Sequence, residues 1–272
     1  MRLRIYLLGM ILLSAAFAFS YQEVKELSLP AEGIKKLEIK CGAGSLEVQG
    51  REGFGEIEVA AEIIIEGVSE GKAQKIIRKE VKLSLKKIGE RAVLVSEFHH
   101  PSSVFFSFRE KEINLMVRIP KNMNLRIDDG SGWMKVENVR GNVDLEDGSG
   151  SAKIRDIIGE VDLDDGSGDI RIEKIEGNIQ IDDGSGEIEI EDVSGDVLID
   201  DGSGRIEMKG IFGNVSIIDG SGSIYVEDVQ GGVEVSDGSG SINIDGVERD
   251  VRVKRDGSGS VNIKNVKGKI SK

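Results

Sequence analysis

Residues 161–190 read VDLDDGSGDIRIEKIEGNIQIDDGSGEIEI, and this stretch decides the fold. The tetrapeptide Asp-Gly-Ser-Gly starts at Asp165 and again at Asp183, 18 residues on. Outward from there it starts at Asp129, Asp147, Asp201, Asp219 and Asp237 at the same spacing, and an eighth copy starts at Asp256, one residue late. The extra residue falls between Val253 and Asp256, beside Lys254 and Arg255. After each motif Asp, apolar residues stand five and seven places on (Ile170 and Ile172), ten places on (Ile175), and fourteen and sixteen places on (Ile179 and Ile181). The residues between them are mostly polar. Such alternation describes two short strands per repeat, each with one buried face.

Two strands and two corners in 18 residues make one coil of a solenoid, whose open strand edges are paired by the next coil. The expected fold is therefore all-β: a parallel, two-sided β-solenoid of 18-residue coils, with right-handed winding favoured by analogy with parallel crossovers. One corner is the motif itself. The other usually carries Gly twelve places after the Asp, as at Gly141, Gly159, Gly177, Gly195, Gly213 and Gly231. Two other 18-residue codes fail. The left-handed hexapeptide helix needs an inward residue eleven places after the Asp, where Arg140, Ser194 and Glu248 stand. The calcium-binding nonapeptide roll needs Asp two places after its last Gly, where this chain has Ile or Val.

Composition agrees. The 272 residues hold 36 Gly but only 3 Pro and 1 Cys, with 39% apolar and 4% aromatic residues. One cysteine excludes a disulfide scaffold or a cysteine zinc cluster, and the apolar fraction argues against disorder. A net charge of −13 argues against nucleic acid as a partner. The charge is uneven: residues 21–120 are neutral, residues 121–248 carry −21, and residues 249–272 carry +6.

Residues 1–20 read as a signal peptide. Arg2 and Arg4 precede an uncharged run from Ile5 to Phe19, and Ala16 and Ala18 provide a cleavage site. The run is short for a bilayer span, and nothing later could cross a membrane. The expected location is outside the cytoplasm: periplasmic, cell-surface or extracellular. Residues 21–120 form a strand-rich capping region with one helix, which Ser69 would cap and which would run to about Glu80 with Ala73, Ile76 and Ile77 inward. Strands are expected over Ile57–Ile65, Val81–Leu85, Val104–Phe108 and Ile113–Ile119. Cys41-Gly42-Ala43-Gly44, flanked by Leu37, Ile39, Leu46 and Val48, reads as a faint extra coil with Cys41 in the motif Asp position. Residues 121–272 are the solenoid, closed by a basic C-terminal cap.

The lead-in VRIPKNMNLRIDDGSG (residues 117–132) and the following Gly-x-Val-x-Ile-Asp-Asp-Gly-Ser-Gly repeats carry a resemblance. From about residue 34 onward the chain resembles the bacterial "putative adhesin" family of β-strand-repeat envelope proteins, a domain of unknown function. The resemblance implies an envelope-exposed β-solenoid and brings no catalytic residues. The last coil departs from the pattern, with Arg249 at the usual corner glycine.

Candidate sites follow from the repeat. Asp129, Asp147, Asp165, Asp183, Asp201, Asp219 and Asp237 should stack about 4.8 Å apart. One reading is a linear Ca²⁺-binding edge, since Ca²⁺ takes oxygen ligands in flexible geometry. The plainer reading, expected here, is that each Asp accepts turn amides and stays hydrated; no other cofactor is implied. Trp133, outward on the first coil, is expected to pack against the N-terminal region, with sugar stacking as the alternative. Lys264, Lys267 and Lys269 either protect an open sheet edge or dock onto acidic polymers or another copy. His99 and His100 read as an exposed loop, and Cys41 as a small buried residue. A polysaccharide-active enzyme is the catalytic alternative, but eight near-copies offer no single distinct constellation. The reading is a non-enzymatic envelope scaffold or adhesion module whose partner is an envelope polymer, a glycan or a protein, with self-association open. An envelope stress-associated or regulatory protein acting through a partner is the second hypothesis.

Overall fold

The computed structural model describes the backbone of residues 4–6, and residues 20–99 and 111–272. The chain divides into two units, Met1–Trp133 and Met134–Lys272. The expected strand over Val104–Phe108 lies outside the described residues.

The second unit is the solenoid. From Val143 to Asp237 each coil contributes a five-residue strand ending on the motif Asp, as in Val161–Asp165, Ile179–Asp183 and Val197–Asp201. It then contributes a longer strand, as in Gly186–Val193, Gly204–Ile211 and Gly222–Val229. Short strands pair only with short and long only with long, always parallel, so two sheets face each other. The register is 18 residues as far as the pairing of Val235 with Val253, as where Ile179 pairs with Val197 and Ile188 with Ile206, and 19 in the last coil, where Ile244 pairs with Ile263. It slips once, where Val235 pairs with Val253 but Ser236 pairs with Arg255. That slip is the extra residue before the eighth motif, absorbed as a bulge.

The five apolar positions of each repeat form the core. Ile154, Ile172, Ile190, Met208, Val226 and Ile244 stack into one row, all 0–2% exposed. β-Branched side chains suit this pleated, half-buried surface, and each fully buried one contributes about 1.5–3 kcal/mol. The interior is narrow, which leaves little room for rings.

The first unit builds its coils out of sequence order. Lys36–Ala43 pairs parallel with Arg91–Phe98 on one side and with residues 124–131 on the other. Leu46–Arg51 pairs parallel with Lys111–Pro120. The faint coil is thus a true one: Cys41 pairs with Asp129, and Leu37, Ile39, Leu46 and Val48 are buried. Antiparallel strands flank it. Glu56–Glu66 lies between Ser20–Pro30 and Lys111–Pro120, while Val81–Ile88 lies against Arg91–Phe98. Arg4–Tyr6 pairs with Val24–Glu26. The helix is Glu70–Glu80, with Ala73 and Ile77 buried and Ile76 half-buried. Ser69 stands at its N-cap position, but its side chain makes no capping bond. Residues 121–133 group with this unit because residues 124–131 pair with Lys36–Ala43.

Candidate functional site

The repeated corner is built from backbone groups. In the six coils from Asp147 to Asp237, Oδ1 of the motif Asp accepts the N–H of the Ser two places on, at 2.8–3.2 Å. The side chain thereby closes an Asx turn. The first motif Gly donates to the Asp carbonyl of the preceding coil, as Gly184 does to Asp165 at 2.9 Å. The second donates to the Ser carbonyl of the following coil, as Gly168 does to Ser185 at 2.9 Å. Stacked corners therefore bond to one another through the main chain.

Two positions show why glycine is required. Gly168 has φ +146, and a Cβ there would sit 1.3 Å from the carbonyl oxygen of Gly150. Gly177, twelve places after Asp165, has no positive φ; a Cβ there would sit 2.0 Å from the Gly159 carbonyl oxygen. At the second corner it is coil-to-coil contact, more than conformational freedom, that selects glycine.

The carboxylates do not line an outer edge; they are buried. Asp147, Asp165, Asp183, Asp201, Asp219 and Asp237 point inward and are 0–5% exposed; Asp129, in the first unit, is 4% exposed. The reason is the strand period. Positions fourteen and sixteen face inward, and eighteen, the next motif Asp, continues the alternation. Burial first, and then repulsion from neighbouring Asp residues, pushes Asp165, Asp183, Asp201 and Asp219 up to about 6. Turn amides oppose this without cancelling it. Asp147 and Asp237 are also raised by burial, Asp237 against the opposing pull of Arg255. Among the described residues, no three His, Cys, Asp or Glu side chains are grouped to hold a metal ion.

The sequence reading missed the residue that turns the second corner. Nine places after the motif Asp, Asn138, Asp156, Lys174, Asp192, Asp228 and Asn265 have φ between 51° and 60°, and Gly210 and Gly246 have φ 71° and 75°. This is the left-handed region, which Asn, Asp and Gly tolerate best. That composition was the available signal, and Lys174 hid it.

The two outer faces differ. On the long-strand face acids are neutralised in place: Arg171 bonds Glu173 and Glu189, Lys209 bonds Glu227 at 3.0 Å, and Arg205 lies 4.9 Å from the Tyr225 ring. On the short-strand face Asp164, Asp182 and Asp200 stand exposed and make no ion pair among the described residues. Leu198 and Ile218 add an exposed apolar pair there, 43% and 49% exposed. A shallow groove follows the entry to this sheet, lined by Asp162, Asn178, Gln180, Asp196, Leu198 and Asn214 among others. Its floor is held by a side-chain ladder in which Asn178 accepts the Asp196 N–H at 2.9 Å and Asp196 accepts the Asn214 N–H at 2.7 Å.

The remaining candidates are dispersed. Trp133 is 48% exposed. Lys264 and Lys269 are exposed, and Lys267 pairs with Glu248 at 2.7 Å. Cys41 is half-buried, not fully buried. His99 is exposed, and His100 lies outside the described residues. Among the described residues, no helix is long and apolar enough to cross a membrane.

Fold and corner together define a repeat-built parallel β-solenoid with a buried carboxylate column. Residues 34–271 match the model of the Toastrack DUF4097 family, and the chain belongs to that family. None of the curated proteins matches it. Among solved structures, the chain is similar to a "putative cell adhesion protein" from Clostridium sporogenes, 14% identical, covering 90% of this chain and 99% of that one, TM-score 0.30. It is also similar to a "putative adhesin" from Bacteroides fragilis, 13% identical, covering 88% and 96%, TM-score 0.33. A third, a "putative adhesin" from Parabacteroides merdae, is 10% identical, covering 92% and 96%, TM-score 0.30.

Proposed function

We propose that this chain is an exported, non-enzymatic scaffold or adhesion module of the cell envelope that engages an extended partner along its outer faces. The supporting observation is the unbroken 18-residue register from Val143 to Val251, which sets outward side chains in rows one strand spacing apart. Such rows fit a ligand with repeating units, or a protein lying along several coils, in place of a compact substrate in a pocket. Binding then accumulates over many weak contacts.

The test is a binding array of envelope polymers, glycans and polyamines, run with and without Ca²⁺. The expected result is saturable binding that strengthens with ligand length and weakens when Asp164, Asp182 and Asp200 are changed together to Asn. Turnover of a polysaccharide, or binding only to a single small sugar, would overturn the reading.

A further inference from the structure

Six motif carboxylates form a column inside the solenoid. Asp147, Asp165, Asp183, Asp201, Asp219 and Asp237 pair in register from each coil to the next, so consecutive carboxyl groups stand about one strand spacing, ~4.8 Å, apart. Each Oδ1 is bound to a Ser amide, and each Oδ2 is buried with no hydrogen-bond partner. A buried carboxylate with a bare oxygen is costly, and six in a row repel as well. The charges facing them offer little relief. They are the column's own members, the outward acids Asp164, Asp182 and Asp200, and, only at the last coil, Arg255 together with Asp256. The other side chains of this interior are Ile, Val, Leu, Met and Ala.

A proton answers both penalties. A protonated carboxyl is neutral, so it neither repels its neighbours nor carries the cost of a buried charge. We propose that the column Asp147–Asp237 is a proton-binding spine: each carboxyl takes up a proton on its buried Oδ2, and the solenoid gains stability as those protons bind in mild acid. Its direction agrees with the raised pKa values. Groups at about 6 when folded and 3.8 when unfolded contribute stability that is complete below pH 3.8 and is lost as pH rises through 6.

The experiment compares thermal unfolding of the full chain with that of a triple Asp165→Asn, Asp183→Asn, Asp201→Asn variant, at pH 7.5 and 5.0. Asn keeps the acceptor for the Ser amide and carries no charge. The expected wild-type midpoint rises by roughly 5 °C or more on acidification, and the variant starts higher at pH 7.5 and loses at least half of that slope. A flat or falling wild-type midpoint, or an undiminished slope in the variant, would overturn the proposal. So would a rise in the wild-type midpoint at pH 7.5 on adding Ca²⁺ that the variant lacks, since the column would then hold a cation. If the variant does not fold, infrared spectra of the wild type decide: a protonated-carboxyl carbonyl band must grow between pH 7 and 5, and its absence sinks the idea.

Discussion

Gly186 stacks on Gly168 so closely that a Cβ on Gly186 would lie 1.7 Å from the Gly168 carbonyl oxygen. Gly186 also has φ +152, a conformation that side chains rarely adopt. Gly186→Ala must therefore strain its own backbone and push two coils apart. A loss of at least about 2–3 kcal/mol is expected in chemical denaturation. Gly71→Ala is the control. Gly71 lies in the helix with open space around it, and its replacement is expected to stabilise by about 0.4–1 kcal/mol. Equal effects at the two sites would contradict the packing described.

Lys174 occupies the left-handed corner with φ 59, in a row otherwise held by Asn, Asp and Gly. Its Cβ pays for that conformation. Lys174→Asn is expected to raise stability by about 1 kcal/mol, read as a higher denaturation midpoint with unchanged slope. A neutral or destabilising result would show that the Lys side chain makes a compensating contact.

Ile190 is fully buried in the middle of a core row, and Ile263 occupies the same row in the final coil but is half-buried. Ile190→Ala is expected to cost about 2–5 kcal/mol. Ile263→Ala should cost roughly half of that or less. Because each coil touches only its neighbours, the first change should also broaden the unfolding transition. Hydrogen exchange would show protection lost on both sides of residue 190.

The motif spells Ser, yet the corner uses the Ser main chain. Ser185 donates its backbone N–H to Asp183 Oδ1 at 3.1 Å. Ser185→Ala is expected to change stability by no more than about 0.5 kcal/mol. Ser185→Pro deletes the donor and should cost at least about 1–3 kcal/mol. Thermal melts of the two variants separate the roles of side chain and amide.

Much of this architecture is legible in the repeat. The 18-residue register, the five inward apolar positions, the coil around Cys41 and the slip before Asp256 all follow from apolar spacing, because a strand buries every second residue. The motif Asp was harder to read. It lies on the same alternation as Ile179 and Ile181, but aspartate is ordinarily a surface residue, so its inward direction was hidden by its chemistry. The corner at Lys174 was hidden by its variety, since left-handed backbone leaves only a loose mark on composition. The glycines at Gly159 and Gly177 were visible, but the approach of one coil's carbonyl to the next is a fact about stacking that no single repeat contains. The outward rows are the least readable, because nothing in the fold constrains them.

The coil of Lys36–Arg51 has a consequence for the timing of folding. The partners of its first strand, Lys36–Ala43, are residues 91–96 and 124–131, so Lys36 meets Arg91 and Asn124 only after 55 and 88 further residues have been made. In the repeats the same step closes over 18. Closing longer loops costs more chain entropy before any contact repays it, and such topologies fold slowly. The first unit thus has to wait for its own distant strands, while the repeats can add turn by turn as soon as one turn exists. Among the described residues, an early-made segment is therefore the one that waits longest to complete its own pairing.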